Sequence, residues 1–151
     1  AGVSMVSSLL LYLGLFATIA NQNDPIFISR TELAAYDAFA EAVMPDAVVF
    51  TALESGNRLP AHLYVRTVLG HSTESIPFFE LLAASQGFFG NAFSETQRLD
   101  FLVENQVDYV YWGPHERALG DWDPRGVDYL DMRVNHQGHY LFAVNKGATG
   151  P

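Results

Sequence analysis

The sequence contains no cysteine, which excludes disulfides, thiolate zinc sites, iron–sulfur clusters and cysteine nucleophiles. That absence assigns no compartment, because extracytoplasmic domains often lack cysteine as well. Positive charge is scarce: eight Lys plus Arg stand against seventeen Asp plus Glu, for a net charge of −9. The basic residues (Arg30, Arg58, Arg66, Arg98, Arg117, Arg125, Arg133 and Lys146) are scattered along the chain, so nucleic acid is not an expected partner. There is no G-x-G-x-x-G for a dinucleotide, no G-x-S-x-G nucleophile elbow, no EF-hand spacing and no internal repeat.

What is present suffices for one folded domain. The chain has 151 residues, of which 49% are hydrophobic and 13% aromatic, enough to bury a core and too apolar for disorder. Three stretches organise it: an N-terminal segment 1–24, an α/β domain 25–146 and a tail 147–151. Residues 1–23 carry no charge, and Leu9–Phe16 is strongly apolar. No basic n-region marks a signal peptide. Ser4, Ser7, Ser8 and Asn21 weaken a transmembrane span, which needs ~20 apolar residues. Packing on the domain and lying beside a membrane both remain open. With its first Met at position 5, the chain reads as a piece of something longer.

Ser29-x-x-Glu32 has the form of a capping box, and Leu33, Tyr36, Phe39, Ala40 and Val43 share a helical face, so a helix is expected ahead of Pro45. Short apolar runs at Ala47–Ala52, Tyr64–Leu69 and Val107–Trp112 predict buried strands. A short helix over Asn57–Leu63, one over Pro77–Phe89 and one opening at the Ser94-x-x-Gln97 capping box predict the crossovers. Asp131–Asn135 and Tyr140–Val144 bracket Gln137-Gly138, a hairpin signal. The expectation is a three-layer α/β fold: a mainly parallel sheet, helices on both faces, and a C-terminal antiparallel hairpin.

In such sheets ligands bind beyond the carboxyl ends of the strands. Those ends supply Glu54, Asn57 and Arg58 after the first strand, His71 and Glu74 after the second, and His115, Glu116 and Arg117 after the third. These eight residues are the candidate ligand-binding rim. His71, Glu74, His115 and Glu116 include metal-ligating types, but no spacing forces three of them onto one point. Glu54 with Glu74 would suit glycoside chemistry, although carboxylates on loop rims are commonly just solvated. His136 and His139 flank the hairpin turn and read as surface residues. Phe78, Phe79, Phe88 and Phe89 read as packing residues, and Asp121 and Asp123 as turn formers. No catalytic set, metal site or cofactor is assigned.

The segments Ser29-x-x-Glu32-x-Ala34-Ala35, Pro45-Asp46-Ala47-Val48-Val49, Glu54-x-Gly56-Asn57-x-Leu59-Pro60-Ala61, Val68-x-Gly70-His71-x-x-Glu74, Val107-Asp108-Tyr109-Val110 and Gly113-Pro114-x-Glu116 together carry a resemblance. They resemble the soluble C-terminal region of bacterial polytopic membrane proteins similar to GT-C class glycosyltransferases, which use polyprenyl-phosphate-linked sugar donors. More distantly, the pattern is similar to the oligosaccharyltransferase catalytic subunit, where a Trp-Trp-Asp-Tyr-Gly motif ends a strand. Here that position reads Thr51-Ala52-Leu53-Glu54-Ser55-Gly56, and only the glycine matches. The resemblance implies a non-catalytic extracytoplasmic domain without a cofactor. Its partners would be the transmembrane part of its own parent chain and a glycan or lipid-linked sugar. The alternative is a free-standing sugar-modifying enzyme or hydrolase using Glu54, His71 and Glu74.

Overall fold

The first helix, α1 (Arg30–Ala40), buries Ala35, Tyr36 and Phe39; of the expected face Tyr36 and Phe39 are buried, whereas Leu33 and Ala40 are exposed and Ala35 faces the core in their place. The computed structural model describes residues 28–70 and 78–148. The chain divides into two units, 1–30 and 31–151, and the segment 1–24 lies outside the described residues. Beyond α1 the backbone turns at Met44–Asp46, with Asp46 at a positive φ of 61°, into strand β1 (Ala47–Phe50). Helix α2 (Leu53–Arg58) follows at once and tightens into a 3-10 turn at Leu59–Ala61 before β2 (Val65–Thr67). The short helix thus starts earlier than the expected Asn57–Leu63, because Gly56 lies inside it rather than breaking it.

Helices α3 (Phe78–Phe89) and α4 (Glu95–Glu104) precede β3 (Tyr109–Trp112). The Ser94 capping box forms: Ser94 Oγ accepts from Gln97 N, and Gln97 Oε1 accepts from Ser94 N at 2.8 Å. A single turn, α5 (Pro114–Arg117), follows β3, and β4 (Leu130–His136) and β5 (His139–Val144) form the hairpin. Gln137 and Gly138 have φ of 49° and 85°, the paired positive values that a tight hairpin turn requires.

The five strands form one sheet in the order β2-β1-β3-β5-β4. β1 pairs in parallel with β2 and β3, while β3–β5 and β5–β4 are antiparallel. Four strands therefore run one way and β5 runs the other: the sheet is mixed and mostly parallel in direction. Alternation along β1 and β3 sends Val48, Phe50, Val110 and Trp112 into one apolar cluster with Phe88, Phe89 and Leu102. Ala47, Val49, Tyr109 and Tyr111 go into a second cluster with Ala35, Tyr36, Phe39 and Leu59. Strands apolar on both sides read as continuous runs for that reason.

Arg98 ties the loop after α5 to this frame. It is buried, and donates from Nε to Phe88 O, from Nη2 to Gly90 O and from Nη1 to Glu95 Oε1, each at 2.7 Å. Glu95 in turn accepts from Trp122 Nε1 at 2.9 Å and from the Tyr129 hydroxyl at 2.6 Å. Phe79, expected to pack, is instead 82% exposed, whereas Phe88 and Phe89 are fully buried as expected. No helix among the described residues is long and apolar enough to cross a membrane.

Candidate functional site

The order β2-β1-β3 places a switch of direction between β1 and β3, because the chain leaves β1 towards one side and returns on the other. Sheets of this kind hold ligands in that crevice. Here the crevice is filled from within. Glu116, on α5, is fully buried. Its Oε1 accepts from Ala52 N, just past β1, at 2.8 Å, and its Oε2 accepts from Gly113 N, just past β3, at 2.9 Å. One carboxylate thereby bridges the two strand ends. Burial pushes its pKa above the usual 4.5, while the Ala52 N–H, the Ser55 hydroxyl and the Gly113 N–H pull the other way. The Ser55 hydroxyl is itself buried and meets no partner in good hydrogen-bond geometry, so we credit the two backbone bonds with holding the carboxylate.

Beside this plug runs a polar chain built on α1. The Tyr36 hydroxyl donates to Glu32 Oε1 at 2.6 Å, and Arg58 Nη1 reaches both Glu32 oxygens at 3.3 and 3.4 Å. The Arg58 and Glu32 side chains are only 10% and 7% exposed, so the pair is shielded from solvent. Arg58 Nη1 also lies 3.3 Å from His115 Nε2, a contact that needs the tautomer with Nε2 free to accept. Burial, reinforced by the hydrogen bond and charge of Glu32, pushes the Tyr36 phenol far above its usual range.

Next to Tyr36, the buried Tyr111 hydroxyl stands 2.7 Å from Nδ1 of His139, which is 4% exposed. The surface role expected for His139 is therefore corrected: as an inward-facing residue at the start of β5, it pairs with a phenol that needs a partner. His136 lies opposite it across the turn, and its Nε2 is also buried. Burial holds the His139 pKa below the usual 6.5, with Arg117, His136 and His115 adding to the effect and Glu32 opposing it. A depressed folded-state value means that the unfolded chain binds the proton more readily. The stabilisation is therefore present above about pH 6.5 and lost as pH falls through the folded value. The urea midpoint should drop between pH 7 and pH 5, and His139→Gln should flatten that dependence. An unchanged slope in the variant would assign it elsewhere.

The eight rim candidates separate accordingly. Arg58, His115 and Glu116 are gathered into the buried and half-buried network, whereas Glu54 and Asn57 stand exposed on α2. Arg117 is exposed, donates from Nη1 to Gly138 O at 2.7 Å and lies 5.0 Å over the Trp112 ring. His71 and Glu74 lie outside the described residues. Among the described residues no group of three or more His, Cys, Asp or Glu is placed to hold a metal ion. Glu32, Tyr36, Tyr111 and His139 were not candidates. The available signal was tyrosine at helix and strand positions that face the core, since each buried hydroxyl demands an acceptor nearby.

The mixed sheet, its self-filled crevice and the polar chain beside it define a mixed α/β domain. The chain is similar in fold to the C-terminal globular domain of the oligosaccharyltransferase of Archaeoglobus fulgidus, with a TM-score of 0.56 at 12% identity. The superposition covers 79% of this chain and 99% of that domain. No protein-family model matches the chain, and no curated protein matches it in sequence. At this identity the likeness is one of fold.

Proposed function

We propose that this chain is a non-catalytic domain of a membrane-bound, GT-C-like glycosyltransferase, displayed on the extracytoplasmic face of the cell membrane. The observation that carries this reading is that the likeness extends over 99% of a domain belonging to an oligosaccharyltransferase, so a whole module is matched rather than a fragment. The interior supports it: the crevice where a domain of this topology would seat a substrate is occupied by the chain's own Glu116. Its partners are the transmembrane part of the parent chain and a glycan, lipid-linked sugar or polypeptide acceptor that meets the outer rim at Glu54, Asn57 and Arg117. The two apolar clusters suit helices on both faces, hence three layers.

The test is to express the complete open reading frame that encodes this sequence and to fractionate the product. The expected result is a product with several hydrophobic spans that sediments with membranes, its globular domain open to protease from outside the cell. A soluble product without such spans overturns the proposal. So does sugar transfer or hydrolysis by the 151-residue chain alone.

A further inference from the structure

A group of side chains at the hairpin end of the sheet takes no part in the plugged crevice. Trp112, the last residue of β3, is 5% exposed, and its Nε1 is buried without a hydrogen-bond partner. An unpaired indole N–H is costly, and such groups call for an explanation. Two guanidinium groups lie against the same ring: Arg117 Cζ at 5.0 Å and Arg125 Cζ at 5.4 Å from its centroid. Tyr140 extends the aromatic surface, 5.3 Å from Trp112 and 5.8 Å from Arg125 Cζ.

The balance of donors and acceptors here is one-sided. Arg125 is held through Nε and Nη2 by Asp123, but Arg117 has no carboxylate partner among the described residues and spends only Nη1, on Gly138 O. In a chain of net charge −9, two arginines over one indole, of which only Arg125 has a carboxylate partner, Asp123, among the described residues, make a locally positive cluster of donors. Planar guanidinium forks match carboxylate and phosphate oxygens, and Asp123 already occupies one of the two forks in that way.

We propose that Arg117, Trp112 and Arg125 form a binding site for a small anionic group, a phosphate or a carboxylate, with Asp123 as its internal competitor. The ligand draws the guanidiniums away from the indole ring and gives the Trp112 N–H an acceptor. Arg117 also belongs to the proposed outer rim, but the anion site rests on Trp112 and the two guanidiniums alone and does not depend on the membrane role.

The two tryptophans supply a built-in control, because Trp122 Nε1 is already bonded to Glu95 Oε1. The indole N–H signals of the full chain are followed by ¹H–¹⁵N correlation while inorganic phosphate, glucuronate or glucose is added at constant ionic strength. Phosphate, glucuronate or both should move the Trp112 signal saturably and leave Trp122 in place, the responding anion naming the source. Arg117→Gln should raise the half-saturating concentration ~10-fold. Asp123→Asn, which releases Arg125, should lower it. If Arg117→Gln does not fold, the Asp123→Asn titration decides alone. The proposal is overturned if neither anion shifts Trp112, if glucose shifts it equally, or if Asp123→Asn fails to tighten binding.

Discussion

Glu116→Ala is expected to lower unfolding stability by about 4 kcal/mol, because two buried backbone N–H groups lose their acceptor at about 1–3 kcal/mol each. The groups are those of Ala52 and Gly113, which the carboxylate bridges from opposite sides of the crevice. Glu116→Gln should cost less. Its one amide oxygen still serves one N–H, while its NH2 faces the other donor. A pH dependence separates this role from simple packing. Burial raises the folded-state pKa of Glu116 above 4.5, so its contribution is fully present below that value and is lost as pH rises through the folded value. His139 acts in the opposite sense, its stabilisation being lost as pH falls below about 6.5. Urea titrations of the parent and both Glu116 variants at several pH values resolve the two. Both variants should lose the decline towards high pH and keep the His139 decline towards low pH. An alanine variant within about 1 kcal/mol of the parent would show that water replaces the carboxylate at little cost, and the plugged crevice would cease to be a structural necessity.

The strands and the hairpin were legible because their signals are local. β1 and β3 are unbroken apolar runs, and Gln137-Gly138 supplies the positive φ values of the turn. The partner of a charged residue is not local, and there the sequence misleads. Glu116, just after a strand, reads as a candidate ligand-binding rim residue; its burial follows from the approach of Ala52, 64 positions earlier. Glu32 reads only as the acid of a capping box, and its carboxylate also serves Tyr36 and Arg58. Arg98, one of the scattered basic residues, is 4% exposed because the carbonyls of Phe88 and Gly90 at the end of α3 take its donors. Of the rim candidates, Arg58, His115 and Glu116 enter the internal network while Glu54, Asn57 and Arg117 stay outside it, a split that depends on long-range contacts no spacing encodes.

Gly56→Ala is expected to destabilise the domain by about 3 kcal/mol or more, the upper end of the range for overpacking a closed site. A Cβ at position 56 would stand 1.8 Å from Leu69 O and 2.9 Å from Thr51 Oγ1. The first is a backbone oxygen at the end of the β2 segment, so no rotamer change relieves the contact. Either α2 must lift away from the sheet or the chain after β2 must yield. Neither is free to do so. Gly56 N is bonded to Ala52 O at 2.9 Å, Gly56 O accepts from Thr67 Oγ1 at 3.1 Å, and a Cβ on Gly70 would in turn stand 3.0 Å from Gly56 O. Two glycines thus let two backbones touch directly behind the crevice. Gly126→Ala is the control: its φ of 96° strains any side chain, but nothing lies within 4 Å of the added carbon, so about 1 kcal/mol is expected. Thermal and urea unfolding of the two variants should rank Gly56→Ala far below Gly126→Ala. Because α2 carries Ser55 against Glu116 and Arg58 against Glu32, the Gly56 variant should also shift the His115 and Tyr36 resonances, which Gly126→Ala leaves in place. Equal stability losses in the two variants would mean that α2 can lift without cost, and the crevice would then be deformable rather than locked.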